Sequence, residues 1–136
     1  MARPRNKTIL QTFEWHTPSS PISSHYSRLT SRLPTFANLG ITHLWLPPGC
    51  KANNPQGNGY DIYDLWDLGE FEQKGARSTK WGSREELDEL IKGCRMLGLE
   101  VIWDAVLNHK QAGDATEEAW AVEVDKDGAF SRSLSL

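Results

Sequence analysis

The sequence predicts an α/β fold in which parallel strands alternate with helices, in the order β-α-β-α-β. Three short strand-like runs are almost continuously apolar, which is typical of strands that are buried on both faces of a parallel sheet. Two segments with helical spacing of apolar residues separate these runs. The chain has 136 residues, 38% of them hydrophobic, which is enough for one ordinary domain with a core of its own.

The first two elements are a strand over 8–13 and a helix over 22–39. The helix is indicated by apolar residues that mostly lie three or four positions apart: Ile22, Tyr26, Leu29, Leu33, Phe36 and Leu39. Pro34 lies inside this pattern and has no N–H to donate, so we expect a kink or the start of a second short helix. Gly40 follows at the position typical of the glycine that ends a helix.

A second strand is predicted over 41–46, where two prolines stop it. The segment 49–80 is long for a connection within a compact domain, and such segments are usually functional. Ser83 and Glu86 form a capping-box pattern at the start of the second helix. A third strand is predicted over 99–107.

Composition excludes several classes of protein. The net charge of −3 provides no basic surface for nucleic acid or an anionic membrane, and no apolar run approaches the roughly 20 residues of a membrane span. The basic start lacks the apolar stretch of a signal peptide, which predicts a cytoplasmic protein. Cys50 and Cys94 form no disulfide framework or metal-ligand spacing, so we expect reduced, partly buried thiols. Most of the six tryptophans should pack in the core, and one or two should line a groove.

The carboxyl ends of parallel strands share one edge of a sheet, and ligands bind there. Glu14, Trp15 and His16 follow the first strand, and Asp104, Asn108 and His109 end the third. The amide oxygen of Asn108 is a hard ligand suited to Ca²⁺, and His109 can hydrogen-bond a hydroxyl. Asp104 can orient such groups. The alternative is that Asp104 and Asn108 only cap a turn and that His109 faces solvent.

The stretch Asp104-Ala-Val-Leu-Asn108-His109 is similar to the first conserved region of the α-amylases of glycoside hydrolase family 13, Asp-x-Val-x-Asn-His. The resemblance implies that Asn108 ligates a structural calcium ion. It also implies that His109 hydrogen-bonds the sugar beside the scissile bond and that Asp104 supports the geometry of the site.

A second match starts at Asn58-Gly-Tyr-Asp-Ile-Tyr-Asp-Leu-Trp-Asp-Leu-Gly-Glu-Phe71 and continues through Gln73-Lys-Gly75 and Lys80-Trp-Gly82. It resembles the bacterial liquefying and fungal intracellular members, and it implies that Tyr60 stacks on the −1 sugar. From the residues alone, a packed loop aromatic is the better interpretation of Tyr60. We expect Asp64 to fix the loop and its two neighbouring aspartates, Asp61 and Asp67, to be solvated or hydrogen-bonded.

The resemblance extends over roughly residues 7–128 and implies that 1–107 form the N-terminal part of a (β/α)₈ TIM barrel, with its first three β/α units. Residues 108–136 would begin an inserted domain B with an atypical tail. After residue 110 we expect polar loop, and the last eight residues resemble neither helix nor strand. Two positions depart from the family: His16, where tyrosine is common, and Thr12, where the bacterial members have an aromatic residue.

The implied activity is that of a retaining α-amylase that hydrolyses α-1,4-glucosidic bonds in starch- or glycogen-type glucans. A calcium ion and an α-glucan would bind, and the full-length enzyme would be a monomer that binds neither nucleic acid nor membrane. The nucleophile and the acid/base of a retaining glycosidase are carboxyl groups about 5–5.5 Å apart. The family places them on later strands, so no catalytic residue is expected within this chain, and we expect it to be inactive and marginally stable alone.

Two rivals remain. One is a non-catalytic fragment that binds a glucan or a partner protein. The other is an unrelated nucleotide-binding α/β domain, which is disfavoured because no glycine-rich phosphate loop follows the first strand.

Overall fold

The computed structural model describes residues 6–20, 22–116, 120–124, 126–127 and 130–135. Within them the chain forms two helices and seven strands: β1 (Ile9–Gln11), α1 (His25–Asn38), β2 (His43–Leu46), β3 (Lys51–Ala52), β4 (Ile62–Asp64), α2 (Arg84–Met96), β5 (Glu100–Trp103), β6 (Trp120–Val124) and β7 (Phe130–Ser135). No helix in these ranges is both long enough and apolar enough to span a membrane.

Three parallel strands form the main sheet, in the order β1-β2-β5. Leu44 of β2 pairs with Leu10 of β1 on one side and with Val101 of β5 on the other. The predicted β-α-β-α-β order and parallel pairing are therefore confirmed. The strands are shorter than expected, and only the central strand β2 is largely buried. Ile9 of β1 is 54% exposed, because β1 and β5 each have a paired neighbour on one side only.

Helix α1 is continuous through Pro34, so the expected kink or second helix is wrong. Pro34 is exposed, while Leu29 and Leu33 pack in the core and hold that stretch of the helix in place. Ile22 precedes the helix and is 94% exposed, so its expected place on the apolar face is also wrong. Gly40 has a φ of +80°, as expected of the glycine after a helix.

Helix α2 begins with the predicted capping box. The backbone N–H of Ser83 donates to Glu86 Oε2 at 2.8 Å, and the backbone N–H of Glu86 lies 3.3 Å from Ser83 Oγ. The two helices pack against the sheet around one hydrophobic core: Tyr26, Leu29, Leu33, Leu44, Leu46, Trp81, Leu87, Leu90, Cys94 and Leu99. Cys50 and Cys94 are free and buried, in agreement with the sequence.

The long segment after β2 contains an antiparallel pair, β3 with β4, rather than loop alone. A buried ion pair fixes it: Lys51 Nζ lies 3.2 Å from Asp67 Oδ2, and the two side chains are 2% and 0% exposed. Lys51 also donates to three backbone carbonyl groups, those of Phe71, Ala76 and Arg77. The segment therefore has a polar core of its own.

Strands β6 and β7 pair antiparallel as a separate two-stranded sheet. The expectation that the chain is polar loop after residue 110 and irregular over its last eight residues is wrong for 120–124 and 130–135. Strand formation here depends on a partner segment in register, which the local composition does not show. The proposed division into 1–107 and 108–136 stays a prediction.

Candidate functional site

Polar and aromatic side chains meet at the carboxyl ends of the three parallel strands. Trp15 lies beyond β1, Tyr60 lies in the segment that follows β2, and Asp104 and His109 follow β5. Because the strands are parallel, these ends share one edge of the sheet. Residues that are far apart in the sequence are thereby brought within contact distance.

Tyr60 is the centre of this cluster. Its hydroxyl donates to Asp104 Oδ2 at 2.8 Å, and its backbone carbonyl oxygen lies 2.8 Å from His109 Nε2. A carbonyl oxygen only accepts, so the proton of the imidazole is placed on Nε2. Burial raises the pKa of Tyr60 to about 12, and the neighbouring Asp104 carboxylate adds to the effect. The phenol is therefore neutral and acts as a donor at physiological pH.

Trp15 extends the aromatic surface beside Tyr60. The two rings are stacked, with centroids 5.8 Å apart and an interplanar angle of 9°, and Trp15 is 64% exposed. They border a cleft of about 460 Å³ with a polar rim that includes His16, Asn54, Asn58, Lys80 and Gln111. This matches the expectation that one or two tryptophans line a groove. A flat apolar surface with polar groups at its edge suits a sugar ring.

The structure brings together three of the four site residues predicted from the sequence: Tyr60, Asp104 and His109. Asp104 does not merely cap a turn, because it accepts the hydrogen bond from a residue 44 positions away. His109 is exposed, yet its ring is held by the backbone of Tyr60. Tyr60 is partly buried and borders the cleft, and its role in binding stays a prediction.

Asn108 is exposed, and no hydrogen bond joins it to Tyr60, Asp104 or His109. Its amide oxygen is of the right type for Ca²⁺, which takes six to eight oxygen ligands. Across the described part of the chain, however, no three histidine, cysteine or acidic side chains gather as a metal site would require. The calcium role of Asn108 stays a prediction.

The aspartates of the segment after β2 have structural roles. Asp64 accepts from the backbone N–H of Trp66 at 2.9 Å and from Gln73 at 3.0 Å, as expected of a residue that fixes the loop. Asp67 is fully buried, and it accepts from Gly69 N–H at 2.8 Å. Burial by itself would raise the pKa of Asp67, but the hydrogen bonds from the backbone and from Lys51 outweigh it and lower the pKa overall.

Lys51 was not predicted as an important residue. The only signal in the sequence is a lysine three positions beyond the second of the paired prolines that end the second strand, and a surface lysine gives the same signal. Asp61 accepts from the backbone N–H of Asn54 at 3.2 Å, while its second oxygen is buried without a partner in the described residues.

Comparison with known proteins identifies relatives among the amylases and the glucosidases. Residues 25–131 match the family profile described as "Alpha amylase, catalytic domain". The chain is 44% identical over 120 residues to an α-amylase of Bacillus licheniformis, a match that covers 88% of this chain and 23% of that protein. It is 39% identical over 130 residues to the cytoplasmic α-amylase of Escherichia coli strain K12, with 95% of this chain and 25% of the relative covered.

Solved structures are also similar to this chain. An alternansucrase in complex with isomaltononaose superposes with a TM-score of 0.79 at 25% identity, over 93% of this chain and 11% of that chain. The chain spans about a quarter of the length of the two curated relatives.

Proposed function

Because this chain belongs to the α-amylase family, glycoside hydrolase family 13, we propose that it forms part of the glucan site of a retaining α-1,4-glucan hydrolase. The substrate would be a starch- or glycogen-type glucan. The observation that carries the proposal is the Tyr60 cluster, in which an aromatic surface, a carboxylate and an imidazole meet at the carboxyl ends of parallel strands. The resemblance of the parallel β/α units to the start of a TIM barrel is part of the proposal.

Each residue of the cluster has a distinct role in the proposal. The ring of Tyr60 stacks on the apolar face of a glucose unit, and Trp15, which is stacked beside it and largely exposed, offers a second ring for such a contact. His109 is exposed beside Tyr60 and can bond a sugar hydroxyl with its ring. Asp104 does not act on the substrate. It accepts the hydrogen bond from the Tyr60 hydroxyl and so fixes the orientation of the Tyr60 ring.

The chain itself is proposed to be inactive in hydrolysis. A retaining glycosidase needs a nucleophile and an acid/base about 5–5.5 Å apart. In the described cluster Asp104 is the one carboxylate bonded to Tyr60, and its Oδ2 is occupied by that bond. The purified chain should release no reducing sugar from soluble starch. Measurable release with retention of configuration would refute this part of the proposal.

Glucan binding provides the direct test. Maltoheptaose should bind to the 136-residue chain, and Trp15→Ala should weaken this affinity about tenfold, because aromatic contacts contribute about 0.5–1.5 kcal/mol beyond simple burial. Trp66→Ala is the matched control, since Trp66 is 85% exposed and lies outside the cleft. Titration calorimetry or ring-proton NMR shifts can measure the affinity of each variant for maltoheptaose. Equal losses in both variants would contradict a site at Trp15 and Tyr60.

A second candidate function is a glucan-binding unit without catalysis. The exposed aromatic surface and the open cleft favour binding regardless of reaction. The preferred glucosidic linkage can be tested in the same assay by comparing maltoheptaose with an isomalto-oligosaccharide of equal length. The second ligand is chosen because the structure of the related alternansucrase is a complex with isomaltononaose. Preference for the isomalto-oligosaccharide would argue against α-1,4 specificity.

Calcium and location complete the proposal. Asn108 would supply one oxygen ligand of a structural calcium ion, and the remaining ligands would come from outside the described cluster, so calcium should bind this chain only weakly. Terbium luminescence titration would detect a tight site and contradict this. A cytoplasmic location is supported by the similarity to the cytoplasmic α-amylase of Escherichia coli, and fractionation of cells that express the protein would test it.

A further inference from the structure

The segment that follows β5 runs beside β4, although it forms no strand there. His109 contacts the carbonyl oxygen of Tyr60 through its ring, and the backbone N–H of Gln111 donates to the carbonyl oxygen of Ile62 at 2.7 Å. From the first contact to the second, the segment advances from 109 to 111 while its partner advances from 60 to 62. The segment therefore runs parallel to β4. Gln111 also lines the cleft beside Tyr60. The position of this segment therefore shapes the cleft.

Three side chains fasten the far end of the segment, and we call them the clamp: Tyr63, Lys74 and Asp114. The Tyr63 hydroxyl lies 2.8 Å from Asp114 Oδ1 and 2.7 Å from Asp114 Oδ2. Lys74 Nζ lies 4.0 Å from the centroid of the Tyr63 ring and 3.5 Å from Asp114 Oδ1. Lys74 Nζ also donates to the carbonyl oxygen of Ala112 at 3.0 Å. Lys74 thus contacts Tyr63 of β4 and, in the segment, both the backbone at Ala112 and the carboxylate of Asp114.

The backbone is strained at both ends of the lysine contact. Lys74 has a φ of +52° and Ala112 a φ of +54°, in the left-handed region that residues with a Cβ rarely adopt. These are the two non-glycine residues with positive φ in the described part of the chain, and they are hydrogen-bonded to each other. Such conformations persist only where surrounding contacts impose them. The clamp supplies those contacts.

The charges of the clamp are consistent with this role. The hydrogen bond from Tyr63 lowers the pKa of Asp114, and the nearby Lys74 lowers it further. The same bond raises the pKa of Tyr63. At neutral pH the phenol of Tyr63 is therefore neutral and donates to the Asp114 carboxylate, while Lys74 lies over the ring.

We propose that Tyr63, Lys74 and Asp114 are positioning residues, which hold the segment that carries Asn108 and His109 against β4 and so fix Gln111 at the glucan cleft and His109 beside Tyr60. None of the three needs to touch the sugar. The consequence for glucan binding rests on the proposed function, whereas the clamp itself can be tested without any ligand.

Amide hydrogen exchange of the 136-residue chain, followed by NMR, tests the clamp directly. Tyr63→Phe keeps the ring under Lys74 but removes the hydroxyl, and Lys74→Met removes the cation. Each should raise the exchange rate of the Gln111 amide about tenfold, because a hydrogen bond to a charged group is lost. Lys74→Arg, which keeps the charge, should restore most of the protection. Lys92→Met removes an exposed lysine on α2 and should change nothing.

The expected pattern is local. The midpoint of urea unfolding should stay close to the wild-type value in all four variants, and the affinity for maltoheptaose should fall about three- to tenfold in Tyr63→Phe and Lys74→Met. Unchanged exchange at Gln111 in both variants would overturn the proposal. So would an unfolding midpoint that falls in step with the exchange rate, because that indicates general destabilisation. If the wild-type chain does not bind maltoheptaose, the proposed function fails, and the exchange experiment still decides whether the clamp exists.

Discussion

At the scale of single residues, the neighbours of a side chain decide its role more than its type does. Four histidines occur in the chain, and His109 is the one that is hydrogen-bonded to Tyr60. His25 is 8% exposed and packs edge-on against Trp81, with ring centroids 5.3 Å apart. The sequence predicted a role for His109 because its motif carries a family resemblance. It gave no sign that His25 is buried, since a histidine at the start of a helix is equally common on the surface.

His25 makes stability depend on pH. Burial lowers its pKa from 6.5 to about 4, with a smaller contribution from the positive charge of Arg28. The unfolded chain therefore binds a proton that the folded chain does not bind between these two pH values. The free energy of unfolding should be largest above pH 6.5 and should fall as the pH drops towards 4. The loss attributable to His25 is at most about 3 kcal/mol, since one pKa unit corresponds to about 1.4 kcal/mol.

Urea unfolding at a series of pH values measures this effect. His25→Phe should flatten the slope between pH 4 and 6.5, even if it changes the overall stability. Leu29→Ala, one turn further along the same helix, should lower stability at every pH and keep the wild-type slope. A slope that is unaltered in His25→Phe would rule out His25 as its origin.

Gly49 is required by close packing. A Cβ at this position would lie 2.3 Å from the Trp103 ring and 2.5 Å from the Tyr26 hydroxyl. Gly49→Ala should therefore destabilise the fold by about 1–3 kcal/mol, the usual cost of overpacking. Gly113→Ala is the matched control, because its Cβ would find its nearest neighbour at 3.6 Å. Thermal unfolding of the two variants should differ clearly, and equal midpoints would contradict the prediction.

At the scale of elements, the sequence predicted those features whose hydrogen bonds join residues close together in the chain. The capping box of α2 and the glycine after α1 were read from the sequence, because both depend on neighbours within four residues. The strand ends were not, and β5 stops at Trp103 rather than extending over 99–107. The apolar run at β5 continues past Trp103, but β2, the strand with which it pairs, ends at Leu46. The length of β5 is therefore set by its partner in the tertiary structure.

Glu86 joins two elements and should matter more than an ordinary cap. Its carboxylate accepts the backbone N–H of Ser83 and also the hydroxyl of Ser27 at 2.8 Å, so it links the starts of α2 and α1. Ser83→Ala should cost about 1 kcal/mol, the usual value for an N-cap. Glu86→Ala should cost more, because it removes two bonds together, the one from the Ser83 N–H and the link from the Ser27 hydroxyl. Glu89→Ala, an exposed change on the same helix, should be nearly neutral. Guanidinium unfolding can order the three variants, and Glu86→Ala no worse than Ser83→Ala would disprove the link.

At the scale of the whole molecule, a buried ion pair and a shared sheet edge organise the long segment that contains Tyr60. Lys51 ties β3 to Asp67 and to three carbonyl groups further along, so the segment is ordered rather than loose. The edge at which Tyr60, Asp104 and His109 meet follows from parallel strands, which is why the sequence could predict their proximity. The parallel run of 109–111 beside β4 and the clamp could not be predicted, since no local pattern encodes them.

Removing Lys51 should unfold this segment first. Lys51→Met leaves the Asp67 carboxylate buried without its cation, a change that typically costs about 3–5 kcal/mol. Lys92→Met, on the exposed face of α2, is the control and should cost almost nothing. Limited proteolysis should show new cleavage within residues 67–77 in Lys51→Met at temperatures where the helices remain folded, as judged by circular dichroism. A protease-resistant variant of wild-type stability would show that the pair contributes little.

The sequence by itself determined the β-α-β-α-β order, the helix caps and the family to which the chain belongs. These depend on periodicity, on contacts within a few residues and on motifs that are contiguous along the chain. Tertiary structure decided the rest: the buried Lys51–Asp67 pair, the stacking of Trp15 on Tyr60, the clamp and the hairpin of β6 with β7. In each of these, partners distant in sequence must first be brought together, and only the folded chain fixes which residues meet.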